Sequence, residues 1–204
     1  MSRGSVRCAL LDLGKVLVDF TLDPFRVAVE RWTGVGADQL RAALLSDDLP
    51  HRYETGMMSD GEFHREVSGR LGKEIPFDDF AAAWNSIFLE TPLLPDAWLA
   101  AISDRVPIWI VSNTNPLHFR HIRRSYSFFS YVRGCVLSYE VGAAKPDPRI
   151  FETALRAAGC EPCEAVFVDD QPVNVAAAAG LGVDALPFLS PAQFGREMRA
   201  RGLL

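Results

Sequence analysis

The chain has 204 residues, of which 49% are hydrophobic, and a formal net charge of −5. This length allows one good core, or a core with a small second domain, and the hydrophobic share excludes a disordered chain. The acidic balance leaves no basic footprint for nucleic acid, and the longest apolar runs are far too short to cross a bilayer.

Met1-Ser2-Arg3-Gly4-Ser5 carries no apolar signal segment, so a cytoplasmic protein is expected. Cys8-Ala9-Leu10-Leu11 is a short apolar run that stops at Asp12, with Gly14 and Lys15 behind it. It reads as a buried strand that delivers Asp12 to the carboxyl end of a sheet, where open α/β sheets bind their ligands. A block with helical signals follows. Asp23-Pro24 opens a helix to Arg31, Ala37 to Leu45 forms a second, and Ser59 with Glu62 three residues on is a capping box for a helix to about Leu71. Phe77 to Leu89 reads as a further helix, with Phe77, Phe80, Ala81, Trp84, Ile87 and Phe88 at helical spacing as core residues.

Beyond Pro92 and Pro95 the pattern alternates. Helices are expected over Asp96 to Ser103, Leu117 to Arg124, Asp147 to Ala158, Pro172 to Ala179 and Pro191 to Arg201. Strands are expected over Pro107 to Val111, Gly134 to Leu137, Ala165 to Val168 and Val183 to Leu186. Strand–helix alternation implies an α/β fold, a parallel sheet with helices on both faces. The helical block then lies between the first strand and its successor, giving a core of residues 1–20 and 93–204 and an inserted all-helical unit of 21–92.

The polar residues at the strand ends form a pattern. Ser112-Asn113-Thr114-Asn115 ends the second strand, Lys145 sits in a loop stiffened by Pro146 and Pro148, and Asp169-Asp170 ends a later strand with Asn174 close behind. Taken singly, Asp12, Ser112 and the aspartate pair could be turn or helix caps, and Lys145 a solvated surface charge. Together they place a nucleophilic carboxylate, a hydroxyl, a fixed cation and a carboxylate pair on one sheet edge, a constellation suited to phosphate and metal. The Cys160/Cys163 pair lies in a loop without a second pair to complete a zinc site, and Cys8 and Cys135 read as small core residues. This cysteine usage fits a reducing compartment.

The stretches LLDLGKVLVD, IVSNTN, GAAKPDPRIF and FVDDQPVNVAAAAGLG occur in the order found in the haloacid dehalogenase superfamily. The chain resembles its phosphatases with a small helical cap after the first strand. With YETGMMSDGEF, it is most similar to the bacterial α-D-glucose-1-phosphate phosphatase branch, and next to the amino-terminal phosphatase domain of soluble epoxide hydrolases. The resemblance implies a Rossmann-like three-layer sandwich and a Mg²⁺-dependent reaction through an aspartyl-phosphate. Asp12 would be the nucleophile. Asp12, Asp170 and the Gly14 carbonyl would hold Mg²⁺, with Asp169 bound directly or through water. Ser112, Asn113 and Lys145 would hold the phosphoryl group, and Asn174 would orient Lys145 or the aspartates. His51, Arg52, Tyr53 and Glu54 of the cap, with Phe20 and Trp84, are candidates to face a small phosphorylated metabolite. Tyr53 and Trp84 have the alternative of packing the cap's own core. The expected assembly is a monomer or a weak homodimer.

One position departs from the superfamily's usual pattern. Gly14 stands where most of these phosphatases carry a second aspartate as general acid and base, help worth roughly 10²–10⁴-fold. A sugar 1-phosphate, whose anomeric oxygen leaves readily, would lessen that need, and the glucose-1-phosphate phosphatase branch shares the D-x-G pattern. The rival expectations are a binding protein without turnover and a metal-free 2-haloacid dehalogenase. Asp169-Asp170 opposes the dehalogenase, because adjacent carboxylates beside Asp12 repel one another without a cation.

Overall fold

The computed structural model describes residues 5–204; Met1 to Gly4, at the head of the expected core segment, lie outside the described residues. Strand β1 (Cys8–Leu11) runs at the centre of a five-stranded parallel sheet. A two-stranded antiparallel ribbon, β2 (Val18–Phe20) with β3 (Phe88–Pro92), brackets the helices α1 (Asp23–Thr33), α2 (Ala37–Leu45), α3 (Leu49–Glu54), α4 (Asp60–Arg70) and α5 (Phe77–Asn85). The chain then alternates through α6 (Asp96–Ser103), β4 (Ile108–Ser112), α7 (Pro116–Ser125), β5 (Val132–Leu137), α8 (Ser138–Val141), α9 (Pro148–Ala158), β6 (Ala165–Asp169), α10 (Pro172–Gly180), β7 (Asp184–Pro187) and α11 (Pro191–Ala200). No helix among the described residues is long and apolar enough to cross a membrane.

The sheet order is β5-β4-β1-β6-β7, with every pairing parallel. From β1 the chain builds outward through β4 and β5, then crosses to the other side for β6 and β7. The strand order therefore reverses at β1, and the crevice at the carboxyl ends lies beside Asp12. All four β1 residues are buried, because both sheet faces are covered. Ala9 and Leu11 face a cluster that includes Leu99, Ile102, Phe119, Phe194 and Met198. Cys8 and Leu10 face the opposite cluster, with Ile150, Phe151, Ala154 and Ala178. The period-two alternation of a strand thus divides one tetrapeptide between two cores.

A third cluster gathers Phe25, Leu49, Tyr53, Phe63, Phe80 and Trp84 from α1 and α3 to α5. The capping box at Ser59 and Glu62 forms as the spacing predicts. Two readings need correction. The expected helix over Phe77 to Leu89 ends at Asn85, and Phe88 joins the ribbon opposite Phe20, so the inserted block is not wholly helical. Its apolar residues satisfy a helical period, yet Ile87 and Phe88 are held by tertiary partners: the Ile87 carbonyl accepts from the Thr21 amide, and the Phe88 ring packs edge-on to Phe20. The short helices α3 and α8 are not evident in the sequence, because one or two turns leave too few residues to show a period.

α7 joins the helical unit to the sheet. Leu117 enters the third cluster, the His118 ring stacks on Trp84 at 4.7 Å, and Arg120 pairs with Asp60. Behind α3, Gly56 adopts φ +75° against the backbone of Tyr139 in α8, and a β-carbon there would run into the Tyr139 carbonyl oxygen. Left-handed backbone and close approach each favour glycine at this position. Gly56→Ala is expected to lower stability by about 1–3 kcal/mol, read as a fall in the denaturant midpoint at unchanged m-value.

Candidate active site

β1, β4 and β6 end side by side, which brings Asp12, Ser112 and Asp169 to one edge of the sheet. Asp12 is fixed by its own backbone, its amide donating to the Val168 carbonyl at 2.9 Å, and its Oδ1 accepts from the Leu13 amide at 2.7 Å. Lys145 approaches from the loop before α9. Its Nζ lies 2.7 Å from Asp12 Oδ1 and 2.6 Å from Asp169 Oδ2, and it donates to the Val111 carbonyl at 2.8 Å. The ammonium therefore uses all three of its protons. Asn113 secures the Lys145 backbone from both sides, donating through Nδ2 to its carbonyl at 2.9 Å and accepting its amide at Oδ1 at 2.7 Å.

Asp169 is fully buried and carries further donors: Asn174 Nδ2 at 3.0 and 3.1 Å to its two oxygens, and the Gln171 amide at 2.8 Å. Asn174 thus orients Asp169 and, through it, Lys145. Asp170 is half-buried and accepts from Gln171 Nε2 at 2.7 Å. Ligand oxygens of Asp12, Asp169 and Asp170 all lie within 4.8 Å of one another. Two like charges at about 4 Å repel by roughly 4 kcal/mol at an effective dielectric of 20. One ammonium among three carboxylates leaves the cluster negative. Burial, opposed by Lys145 and reinforced by Asp169, accordingly pushes the Asp12 carboxyl up to about 6. An electron-rich, oxygen-only cluster of this kind fits a hard divalent cation.

A cavity of about 180 Å³ opens beside this cluster. Its floor is Leu13, Gly14 and the Ser112-to-Asn115 loop. Its roof is Pro50, Tyr53 and Glu54 of α3, and its apolar walls include Phe20, Phe63, Trp84, Ile87 and Phe88. Gly14 is not in left-handed backbone, and a β-carbon there would come within 3.2 Å of the Phe20 ring. Lys15 turns away, pairing with Asp19 and donating to the Phe20 carbonyl.

The structure divides the cap candidates. Tyr53 lines the cavity, but its hydroxyl donates to Asp60 and its ring stacks on Phe63 at 4.2 Å. Trp84 is both a cavity wall and part of the aromatic cluster, and its buried Nε1 has no hydrogen-bond partner among the described residues. His51 and Arg52 are not brought to the cavity. Helical rotation leaves His51 exposed, and Arg52 pairs with Glu66 over a separate surface hollow. Glu54, one position after Tyr53, reaches the cavity.

The sequence reading did not single out Thr114, Asn115, His118 and Ser138. Ser138 Oγ accepts from the Thr114 amide and donates to its carbonyl, holding the loop after β4. Asn115 caps α7, its Oδ1 accepting from the His118 amide and its Nδ2 donating to His118 Nδ1. His118 Nε2–H then donates to the Trp84 carbonyl at 3.0 Å. Burial lowers His118 to about 3, so the ring is neutral and structural. An asparagine before Pro116 was the available signal for this cap.

Comparison with known proteins agrees with this geometry. The family model described as haloacid dehalogenase-like hydrolase matches residues 6–182. The chain is similar to the D-ribitol-5-phosphate phosphatase of Bacteroides thetaiotaomicron, 24% identical over 95% of this chain and 97% of that one. It is also similar to the sesquiterpene phosphatase astK of Aspergillus oryzae, 25% identical over 95% of each. Among solved structures, a HAD family enzyme from Bacteroides thetaiotaomicron in complex with magnesium and inorganic phosphate superposes with a TM-score of 0.76. It is 26% identical, covering 89% of this chain and 93% of that chain. The family match takes in β1, the helical insertion and the carboxylate cluster, and the chain belongs to the haloacid dehalogenase-like hydrolases.

Proposed function

We propose that this protein is a Mg²⁺-dependent phosphatase that hydrolyses a small phosphorylated metabolite through an aspartyl-phosphate on Asp12. The finer reading is a sugar phosphate, with a sugar 1-phosphate favoured by the leaving-group argument from Gly14. The observation that carries the proposal is Lys145, buried between Asp12 and Asp169 while Asp170 completes the carboxylate cluster. The phosphatase relatives and the neighbour crystallised with magnesium and inorganic phosphate support it.

Asp12, Asp170 and the Gly14 carbonyl would hold the ion, which when bound neutralises the repulsion between carboxylate and phosphate. Asp169 positions Lys145 and faces the same cluster. Ionised Asp12 attacks phosphorus and displaces the ester oxygen. Ser112 donates to a phosphoryl oxygen, and Lys145 offsets the charge of Asp12 and of the phosphoryl group as it builds up. The cavity beside Ser112 receives the leaving group. The helices between β2 and β3 act as the cap over it and contribute its apolar walls. The carboxylate cluster also argues against a metal-free dehalogenase.

Asp12→Asn should leave the fold intact and abolish phosphate release, since the amide cannot attack phosphorus. Phosphate release at the natural rate in that variant would refute the mechanism. Hydrolysis of 4-nitrophenyl phosphate should disappear in EDTA and return with Mg²⁺, whereas chelator-resistant turnover would remove Asp170 from the proposed ligands. Lys145→Met should cost about 3–5 kcal/mol in denaturant titrations without metal, because two buried carboxylates lose their cation. That cost should shrink on going from pH 8 to pH 5, as the Asp12 carboxyl, already raised to about 6, takes up a proton.

A further inference from the structure

The position of Gly14 leaves this site without a proton donor where the superfamily usually keeps one. We infer that Glu54 of the cap supplies it: its carboxyl protonates the leaving oxygen of the substrate and its carboxylate then deprotonates the attacking water.

Three titratable side chains line the cavity. Tyr53 has its hydroxyl committed to Asp60, and His118 has both ring nitrogens committed. Of the three, only the Glu54 side chain has no hydrogen bond or ion pair among the described residues. It lines the same cavity as Gly14 and the Ser112-to-Asn115 loop, the space that a leaving group on phosphorus would enter. Its placement is firm. The Thr55 hydroxyl donates to the His51 carbonyl at 2.7 Å, the Gly56 amide donates to the Tyr53 carbonyl at 3.1 Å, and Gly56 rests on the Tyr139 backbone. A carboxyl in this mostly apolar cavity stays protonated more readily than one in water, and burial pushes Glu54 up to about 7. Both protonation states are then accessible near neutrality, as a group alternating between acid and base requires.

In the first step Asp12 Oδ bonds to phosphorus, the phosphorus–ester oxygen bond breaks, and the Glu54 proton passes to that oxygen to give the free alcohol. In the second, water attacks the phosphorus of the aspartyl-phosphate, Glu54 takes a proton from that water, and the bond to Asp12 breaks. Inorganic phosphate leaves, and both side chains return to their starting states. With a proton available from the cap, esters of ordinary alcohols come within reach, and the substrate need not be restricted to sugar 1-phosphates.

This inference rests on the phosphatase reading, so the test uses two esters of similar shape. 4-Nitrophenyl phosphate releases an oxygen that needs no proton, and benzyl phosphate releases one that does. In Glu54→Gln, kcat/KM for benzyl phosphate should fall about 10²–10⁴-fold, and that for 4-nitrophenyl phosphate by less than about 10-fold. Loss of the base should also produce a burst of nitrophenolate ahead of slow phosphate release. Equal losses on the two esters, or a rise in KM at unchanged kcat, would make Glu54 a binding group and overturn the proposal. Glutamine matches the shape of Glu54 and removes no contact, and an unchanged melting temperature checks the fold. The natural protein gives a second reading: a preference for the aryl ester beyond about 10⁴-fold would show that no acid serves poor leaving groups. If the natural protein hydrolyses neither ester, the phosphatase reading fails; activity on the aryl ester with no effect of Glu54→Gln on benzyl phosphate rejects Glu54 alone.

Discussion

The buried ammonium of Lys145 is the interaction on which the rest of this structure depends. It lies between Asp12 and Asp169 and has a backbone carbonyl of β4 as its third acceptor, so it ties the ends of β1, β4 and β6 together. A buried ion pair is weak evidence of stability, because desolvation offsets most of the attraction. Its value here is geometric. Asn113 fixes the Lys145 backbone and Asn174 fixes Asp169, so each charge has one position available to it. The same three strands must pair in the same register for those groups to meet.

The cluster stays negative even with Lys145 in place, and that imbalance links structure to chemistry. Burial, opposed by Lys145 and reinforced by Asp169, raises Asp12, and the cluster provides an oxygen-only setting in which a divalent ion is at home. Stability and activity therefore act on the same residues in opposite senses. A change that relieves the repulsion by removing a carboxylate would also remove the proposed nucleophile or a proposed ligand, a trade-off common at active sites.

The helical unit is coupled to this centre through α7. Asn115 caps the helix directly after the loop that carries Ser112, and three residues later His118 bonds the Trp84 carbonyl and stacks on its ring. The neutral imidazole thus transmits the position of the β4 loop to the cavity wall. Arg120 on the same helix makes a second link through Asp60 of α4 to Tyr53 of α3, ending next to Glu54. Motion of the cap relative to the sheet would have to break these contacts, which gives α7 a direct influence on access to the cavity.

The sequence by itself determined the parallel sheet and the residues at its carboxyl edge. Short apolar runs ending in Asp12, Ser112 and Asp169 announce buried strands with polar stops, and Pro or a capping side chain marks most helix starts; such signals are local and survive without knowledge of the fold. It also showed that Gly14 is a departure. The tertiary structure decided what local signals do not encode. Ile87 and Phe88 satisfy a helical period, yet long-range contacts with Thr21 and Phe20 hold Ile87 in a turn and draw Phe88 into a ribbon. Among the consecutive residues His51 to Glu54, helix rotation and the partner Glu66 carry His51 and Arg52 away from the cavity and leave Glu54 facing it. Which of four adjacent side chains reaches a site depends on how α3 is docked, and the chain directly after α3 is held by the close approach of Gly56 to a residue more than eighty positions away.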